Sequence, residues 1–252
     1  MLNFLRRKRA REDRPTPSVG EGVRVYAIGD IHGRLDLFED LLDRIARDDR
    51  ERAPLKSRLV LLGDLVDRGP SSAPMVDRAM QLASFDGAVR FIKGNHEEVF
   101  VAAARGDVRA AGLFRRIGGM ETLASYGLDP ARAAQVNDND LARWMLAHIP
   151  RAHVDFLDDF EDMLTIGDYL FVHAGIRPRV PLDRQDPADL HWIRGNFLKH
   201  GGDHGYVIVH GHSISDEVDE QANRIGIDTG AWRSGRLTAL ALEGRDRWFL
   251  QT

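Results

Sequence analysis

The chain has 252 residues, of which 43% are hydrophobic, so it is long enough and apolar enough to bury a core. Its 35 basic and 39 acidic residues give a formal charge of −4, which excludes a whole-protein field that would recruit nucleic acid or an acidic membrane. The absence of cysteine excludes disulfides, thiolate metal sites and a cysteine nucleophile.

The first 22 residues contain a basic cluster between Arg6 and Arg11, followed by Pro15 and Pro17. We predict a basic, disordered tail over residues 1–22. The cluster does not precede a long apolar run, so it is not typical of a secretory signal. No stretch approaches the roughly 20 apolar residues that cross a bilayer. We therefore expect a cytoplasmic protein without a membrane span.

After the tail, apolar strands alternate with amphipathic helices, which is typical of an α/β fold built on βαβ units. The pattern predicts strands at 23–29, 58–63, 88–94, 169–173, 206–210, 224–228 and 236–242. It predicts helices at 34–48 and 71–84. Between about 98 and 168 the sequence is rich in Ala, Arg and Leu, and we predict a helical insertion there, with helices at 97–104, 119–126, 139–148 and 151–158. We expect residues 23–252 to form one domain.

Polar motifs follow five of the predicted strands. They are GDIHG from Gly29, GDLVDRG from Gly63, GNHE from Gly94, HAG from His173 and HGH from His210. In α/β sheets, ligands bind at the carboxyl ends of the strands, so we expect these motifs to converge in space. Each motif alone is weak evidence, whereas the ordered series in a strand–turn–helix context is specific.

The polar side chains in these motifs are oxygen and nitrogen donors, namely Asp30, His32, Asp64, Asn95, His173 and His212. This mixture suits manganese, iron, zinc or nickel better than calcium. Six donors are too many for one tetrahedral site, but they suit two ions that share a carboxylate and keep positions open. We predict two divalent ions, Mn²⁺ being favoured, bridged by Asp64. Asp30 and His32 would bind one ion, and the other three donors would bind the second.

The series GDIHG, GDLVDRG, GNHE, HAG and GH resembles the phosphoprotein phosphatase (PPP) family of calcineurin-like metallophosphoesterases, over about Val23 to Leu242. The resemblance implies a β-sandwich of two mixed sheets flanked by helices. It also implies direct attack on phosphorus by a hydroxide that bridges the two metals. His96 would be the general acid that protonates the leaving oxygen, and Asp67 would orient its imidazole.

The resemblance further implies cationic side chains around the phosphate. Arg68 would hold phosphate oxygens through its forked guanidinium, and Arg194 would be a second phosphate-binding arginine. Lys93 stands where some family members carry arginine, and it would offer the substrate a point charge. Ile214 stands where the wider superfamily often has a further histidine, which favours the phosphatase branch.

Our main functional prediction is a metal-dependent serine/threonine protein phosphatase, resembling bacterial members of the family and acting on phosphoproteins or small phosphorylated molecules. A dinucleoside polyphosphate hydrolase is the alternative, because such enzymes look similar through the same motifs. A non-catalytic binding module on the same scaffold is the third and least favoured alternative, because none of the predicted metal ligands is missing from the sequence. Substrate choice would depend on the insertion and on the loop at 176–204.

Overall fold

The structure of the protein is a computed structural model, which describes residues 16–85, 87–133 and 135–252. It consists of two sheets with helices around them. The strands in chain order are β1 (Val23–Ile28), β2 (Lys56–Leu61), β3 (Val89–Phe91), β4 (Met163–Ile166), β5 (Tyr169–Val172), β6 (Val207–His210), β7 (Asp219–Glu220), β8 (Arg224–Gly226), β9 (Thr238–Glu243) and β10 (Asp246–Gln251). The helices in chain order are α1 (Leu35–Glu51), α2 (Ser72–Ala83), α3 (Asn95–Ala104), α4 (Val108–Ile117), α5 (Gly119–Ser125), α6 (Pro130–Ala133), α7 (Asp138–His148), α8 (Arg151–Asp158), α9 (Pro187–Trp192), α10 (Gly195–Leu198) and α11 (Ala231–Ser234).

Each sheet has five strands, three of which are parallel neighbours. The first sheet has the order β10-β9-β1-β2-β3, in which β1, β2 and β3 are parallel and β9 is antiparallel to both of its neighbours. The second has the order β4-β5-β6-β8-β7, in which β5, β6 and β8 are parallel and the two edge strands are antiparallel. The predicted α/β class with two mixed sheets is confirmed. Within each sheet, the turns that follow the three parallel strands lie at one edge.

The two sheets pack face to face through side chains that alternate along their strands. Val25 and Ala27 of β1 lie between the sheets with Phe171 of β5. Tyr26 and Ile28, one residue out of phase, belong to the core beneath the helices. Because successive side chains of a strand point to opposite faces, both faces of β1 are buried, and its sequence is an almost continuous apolar run.

The helices next to the first sheet form as the sequence predicts. Helix α1 was expected at 34–48, and it buries Phe38, Leu41 and Ile45. Their spacing of three and four residues puts them on one face of the helix. Among the described residues, no helix combines the length and hydrophobicity that crossing a membrane requires.

The predicted insertion is helical from α3 to α8, but its end differs from our prediction. Residues 163–166 form β4, which pairs with β5 in the second sheet. Helix α4 was not predicted. It begins where the Asp107 carboxylate accepts hydrogen bonds from the backbone N–H groups of Arg109 and Ala110, and it ends at Gly118, whose φ is 111°.

Ser18 and Val19, which we placed in a disordered tail, pack against the domain instead. Val19 is 3% exposed, and its N–H donates to the carbonyl of Gly244 at 2.9 Å. The N–H of Ser18 donates to the carboxylate of Asp168 at 2.9 Å. Burial of Val19 and pairing of these backbone groups explain the order. The basic residues of the predicted tail lie outside the described residues.

Candidate metal centre

The turns after the parallel strands bring the six predicted donors together. All are at most 5% exposed: Asp30, His32, Asp64, Asn95, His173 and His212. They come from both sheets, so the site lies where the two parallel sets of strands end. Buried polar side chains on this scale require partners, because leaving them unpaired costs free energy.

Asp64 lies at the middle of this cluster. Its Oδ2 is 3.6 Å from Nε2 of His32 and 3.8 Å from Nε2 of His96, whereas its Oδ1 is 3.4 Å from Nε2 of His173. The two oxygens of one carboxylate therefore face different imidazoles. A carboxylate that bridges two cations needs this arrangement.

Two groups of side chains that share Asp64 could each hold a metal ion. In one, the ligand atoms of His32, Asp64 and His96 lie within 4.8 Å of one another, and in the other those of Asp64, His173 and His212 do. Asp30 is near the first group, with Oδ2 at 3.9 Å from Nε2 of His32. The second group also includes the amide oxygen of Asn95, which is 3.0 Å from Nε2 of His173.

Hydrogen bonds fix the orientation of the imidazoles. Nδ1 of His32 donates to the carbonyl of Val66 at 2.8 Å, and Nδ1 of His173 donates to that of Leu62 at 2.7 Å. Each ring therefore carries its lone pair on Nε2, which faces Asp64. Nε2 of His212 is buried and has no hydrogen-bond partner among the described residues. These features fit a pair of divalent cations.

Burial sets the charge of the site. It raises the pKa of Asp64 to about 7, and burial together with the charges of Asp228 and Asp64 raises the pKa of Asp30 well above its usual value. Burial lowers the pKa of His212 to about 3 and that of His173 well below its usual value. The imidazoles are therefore neutral ligands, and the buried carboxylates would gain from a cation.

The backbone is strained at the site. Five non-glycine residues there have a positive φ between 49° and 74°: His32, Asp64, Asp67, Arg68 and His212. Gly63 has a φ of 94°, and a Cβ added to it would lie 2.5 Å from the backbone nitrogen of Gly94. Glycine is required at Gly63 because the turns after β2 and β3 touch. Left-handed backbone at polar residues is typical of functional sites.

His96 lies beside the cluster and is held by a carboxylate. Its Nδ1 donates to Oδ2 of Asp67 at 2.6 Å, while the Thr122 hydroxyl donates to Oδ1 of Asp67 at 2.7 Å. Burial lowers the pKa of His96. The Asp64 carboxylate opposes this shift, and the charge of Arg68 adds to it. His96 is thus oriented with Nε2 towards the site.

The two predicted phosphate-binding arginines lie at the site. Nη1 and Nη2 of Arg68 are 2.6 Å from Nε2 of His32 and 2.9 Å from Nε2 of His96. Arg194 is exposed, and after burial its charge is the next cause that lowers the pKa of His212. Both guanidinium groups are therefore close enough to act on an anion held there.

Lys93 is not brought into this cluster. Its Nζ donates to the carbonyl of Asp158 at 2.6 Å and to the carboxylate of Asp158 at 3.1 Å. Asp158 ends helix α8 of the insertion. The structure therefore pairs Lys93 with Asp158 within the protein, and its contact with substrate stays a prediction.

The sequence interpretation gave no role to Glu97, the last residue of GNHE. Its carboxylate accepts backbone hydrogen bonds from Asp64 at 2.7 Å, from Leu65 at 2.7 Å and from Gly94 at 3.0 Å. Glu97 therefore holds the loop that carries Asp64 against the start of helix α3. Glu97 lies three residues after Gly94, which is the spacing of a capping box. This spacing is the sequence feature from which its role could have been predicted.

The chain matches the family model described as calcineurin-like phosphoesterase over residues 23–234. The chain belongs to this family. It is therefore a phosphoester hydrolase by family, and its clustered histidines and aspartates fit the dinuclear divalent-metal site of calcineurin-like phosphoesterases.

Two curated relatives and one solved structure extend the comparison. The symmetrical bis(5'-nucleosyl)-tetraphosphatase of Acidovorax sp. (strain JS42) is 35% identical over 155 residues, which is 62% of this chain and 45% of that protein. The chain thus spans about half the length of this relative. The asymmetrical bis(5'-nucleosyl)-tetraphosphatase PrpE of Anoxybacillus flavithermus (strain DSM 21510 / WK1) is 27% identical over 237 residues, which is 84% of this chain and 88% of that protein. A crystal structure described as a candidate diadenosine tetraphosphatase shares the fold, with a TM-score of 0.61, 21% identity and coverage of 92% and 98%.

These findings correct the functional prediction. Both curated relatives are named as dinucleoside tetraphosphatases, so our main prediction of a serine/threonine protein phosphatase with phosphoprotein substrates is wrong. The physical reason is that the strand-end motifs predict metal binding and phosphate binding, which both kinds of enzyme require.

Proposed function

We propose that the protein hydrolyses dinucleoside polyphosphates, splitting a phosphoanhydride bond of a bis(5'-nucleosyl) tetraphosphate with one water molecule. The observation that carries the proposal is the match to the asymmetrical tetraphosphatase, which spans most of both chains. The more identical symmetrical relatives support the same substrate class over a shorter segment. The narrower assignment to the PPP family stays a prediction.

The proposal includes two divalent cations around Asp64, with Mn²⁺ as the favoured occupant. The donors are oxygen and imidazole nitrogen without sulfur, which suits Mn²⁺, Fe²⁺, Zn²⁺ and Ni²⁺. When bound, such ions supply Lewis-acid polarisation of a phosphate group and activation of water as a nucleophile. His32 and Asp30 would serve one ion, and His173, His212 and Asn95 the other.

The protein's own groups would bind the phosphate chain and deliver a proton. Arg68 and Arg194 carry permanent charges next to His96, so they would orient the scissile phosphate and offset its negative charge. The Nε2 of His96 would protonate the oxygen of the departing nucleotide as the P–O bond breaks. Asp67 would hold the imidazole in the required orientation.

The test uses metal-stripped protein, with and without added Mn²⁺, on diadenosine tetraphosphate and on a phosphothreonine peptide. We expect Mn²⁺-dependent hydrolysis with kcat/KM at least about tenfold higher for the dinucleotide. Chromatography of the products then gives the cleavage mode, because two ADP indicate symmetrical cleavage and ATP plus AMP indicate asymmetrical cleavage. The same assay is repeated with Fe²⁺, Zn²⁺ and Ni²⁺. Equal or faster turnover of the peptide, or no hydrolysis of the dinucleotide with any of these ions or with Mn²⁺, would overturn the proposal.

A further inference from the structure

One large aromatic side chain beside the metal centre is unexplained by the mechanism. Trp232, on helix α11, is 39% exposed, and the guanidinium carbon of Arg68 lies 5.5 Å from the centre of its ring. Arg68 is the residue that we propose to hold phosphate. Burial of Trp232 would have contributed stability, so its exposure next to a phosphate-binding group points to a ligand.

The other three tryptophans have structural partners. The indole N–H of Trp192 donates to Glu98 at 3.0 Å, and that of Trp248 donates to Asp48 at 3.2 Å. The ring of Trp144 stacks on His148 with centroids 4.6 Å apart. Trp232 is the exposed one of the four, and its indole N–H has no hydrogen-bond partner within the described ranges.

The backbone that carries Trp232 is fixed. The Gly230 N–H donates to the carboxylate of Asp228 at 2.9 Å, and the Ser234 hydroxyl donates to the carbonyl of Thr229 at 2.8 Å. Arg34 donates to the carbonyl of Ala231 at 3.1 Å. An aromatic ring on such a short, tied turn is already positioned for contact, which lowers the entropy lost on binding.

We propose that Trp232 is a stacking platform for a nucleobase of the nucleotide whose phosphate Arg68 holds. A dinucleoside polyphosphate carries a base at each end of its phosphate chain, and an indole face accepts any base by stacking. Arg68 over the ring adds a cation–π contribution to the same stack. The inference rests on the proposed function, because it assigns the base to that substrate.

The experiment compares two phosphomonoesters that differ only in the base. AMP and ribose 5-phosphate are titrated calorimetrically into Mn²⁺-loaded full-length protein, and also into Trp232→Ala, Trp232→Phe and the control Phe85→Ala. Phe85 is 60% exposed, so its replacement removes a comparable exposed aromatic ring. We expect AMP to bind about 5- to 150-fold tighter than ribose 5-phosphate, which is the range for stacking one base.

In Trp232→Ala this preference should fall to within about twofold, whereas Trp232→Phe and Phe85→Ala should keep it. Ribose 5-phosphate affinity should stay the same in all four proteins, which shows that the variants fold and hold phosphate. An unchanged AMP preference in Trp232→Ala, or no preference in the unmodified protein, would overturn the platform. Hydrolysis of diadenosine tetraphosphate by that same protein would leave the proposed function standing, so the two failures are distinguishable.

Discussion

The Nδ1 of His96 lies 2.6 Å from Oδ2 of Asp67, and both side chains are buried. This pair links two motifs that are almost thirty residues apart in the chain, GDLVDRG and GNHE. Because Nδ1 is engaged, Nε2 is the nitrogen that can exchange a proton at the site. The proposed acid and its orientation thus depend on one carboxylate.

Replacing Asp67 with Asn tests this dependence. The side chain keeps its size but loses the charge that favours the imidazolium, so we expect kcat for diadenosine tetraphosphate to fall about 100-fold with KM within about threefold. Initial rates over a range of substrate concentrations measure both. Asp77→Asn is the matched control, because Asp77 also pairs with a histidine, His153, at 3.1 Å. A kcat within about threefold of the unmodified protein would refute the role.

Thr122 supports the same carboxylate from the insertion. Its hydroxyl donates to Asp67 at 2.7 Å and accepts from the backbone N–H of Asp67 at 2.9 Å, and Thr122 is fully buried. Thr122→Val removes both bonds, so we expect the free energy of unfolding to fall by about 1–3 kcal/mol. Urea denaturation gives this value, and Thr122→Ser should recover most of it. Equal stability of the Val and Ser variants would contradict the expectation.

Glu97→Gln should destabilise the loop that carries Asp64. Gln keeps one acceptor oxygen but turns its amide N–H groups towards the backbone N–H groups that now donate to the other carboxylate oxygen, so we expect a loss of about 3 kcal/mol. Mn²⁺ content after dialysis, measured by elemental analysis, should fall as well. Glu51→Gln, on the exposed end of helix α1, provides the control and should change neither quantity. Retention of both stability and metal in Glu97→Gln would show that the loop is held by other contacts.

The two carboxylates around His191 lead us to expect that it contributes to stability in a pH-dependent way. Its Nδ1 and Nε2 each lie 2.9 Å from a carboxylate, of Glu98 and Asp162 respectively, so the ring is an imidazolium. Burial alone would lower its pKa, but the Glu98 hydrogen bond and the charges of Glu98 and Asp162 raise it above the usual value. Because the folded-state pKa is the higher one, the stabilisation is full below about pH 6.5 and is lost as pH rises through the folded-state pKa.

We therefore expect His191→Gln to lower the free energy of unfolding by about 1 kcal/mol at pH 6 and by clearly less at pH 9. Denaturation at the two pH values, beside the exposed-residue control His148→Gln, measures the difference. A deficit that grows with pH would have the wrong sign and would rule out the imidazolium.

The grouping of the proposed metal ligands was predictable because they follow strands with an apolar signal. Asp30 and His32 come after β1, and Asp64 comes after β2, so the rule for carboxyl ends of parallel strands placed them together. The structure groups His96 with His32 and Asp64, although we had given it only a proton-transfer role.

The rest depends on contacts that no local pattern encodes. Lys93 donates a hydrogen bond to Asp158 in the last helix of the insertion, which lies 65 residues further along the chain. Short helices and the edge strand β10 are stabilised mainly by packing against the rest of the protein. Their own sequences therefore predict them only weakly. The substrate class was misjudged because the predicted roles of Asp64, in metal binding, and of His96, in protonating the leaving oxygen, are the same whatever group the phosphate carries.

The ordered segment before β1 has a practical consequence for where the domain starts. Ser18 is hydrogen-bonded to the turn between β4 and β5, and Val19 to the turn between β9 and β10. These two residues therefore form a strap, a short segment that connects one sheet to the other. A truncated version starting at Val23, where the family match begins, would sever this strap and uncover an apolar seam. Expression of the catalytic unit alone should keep residue 16 onward.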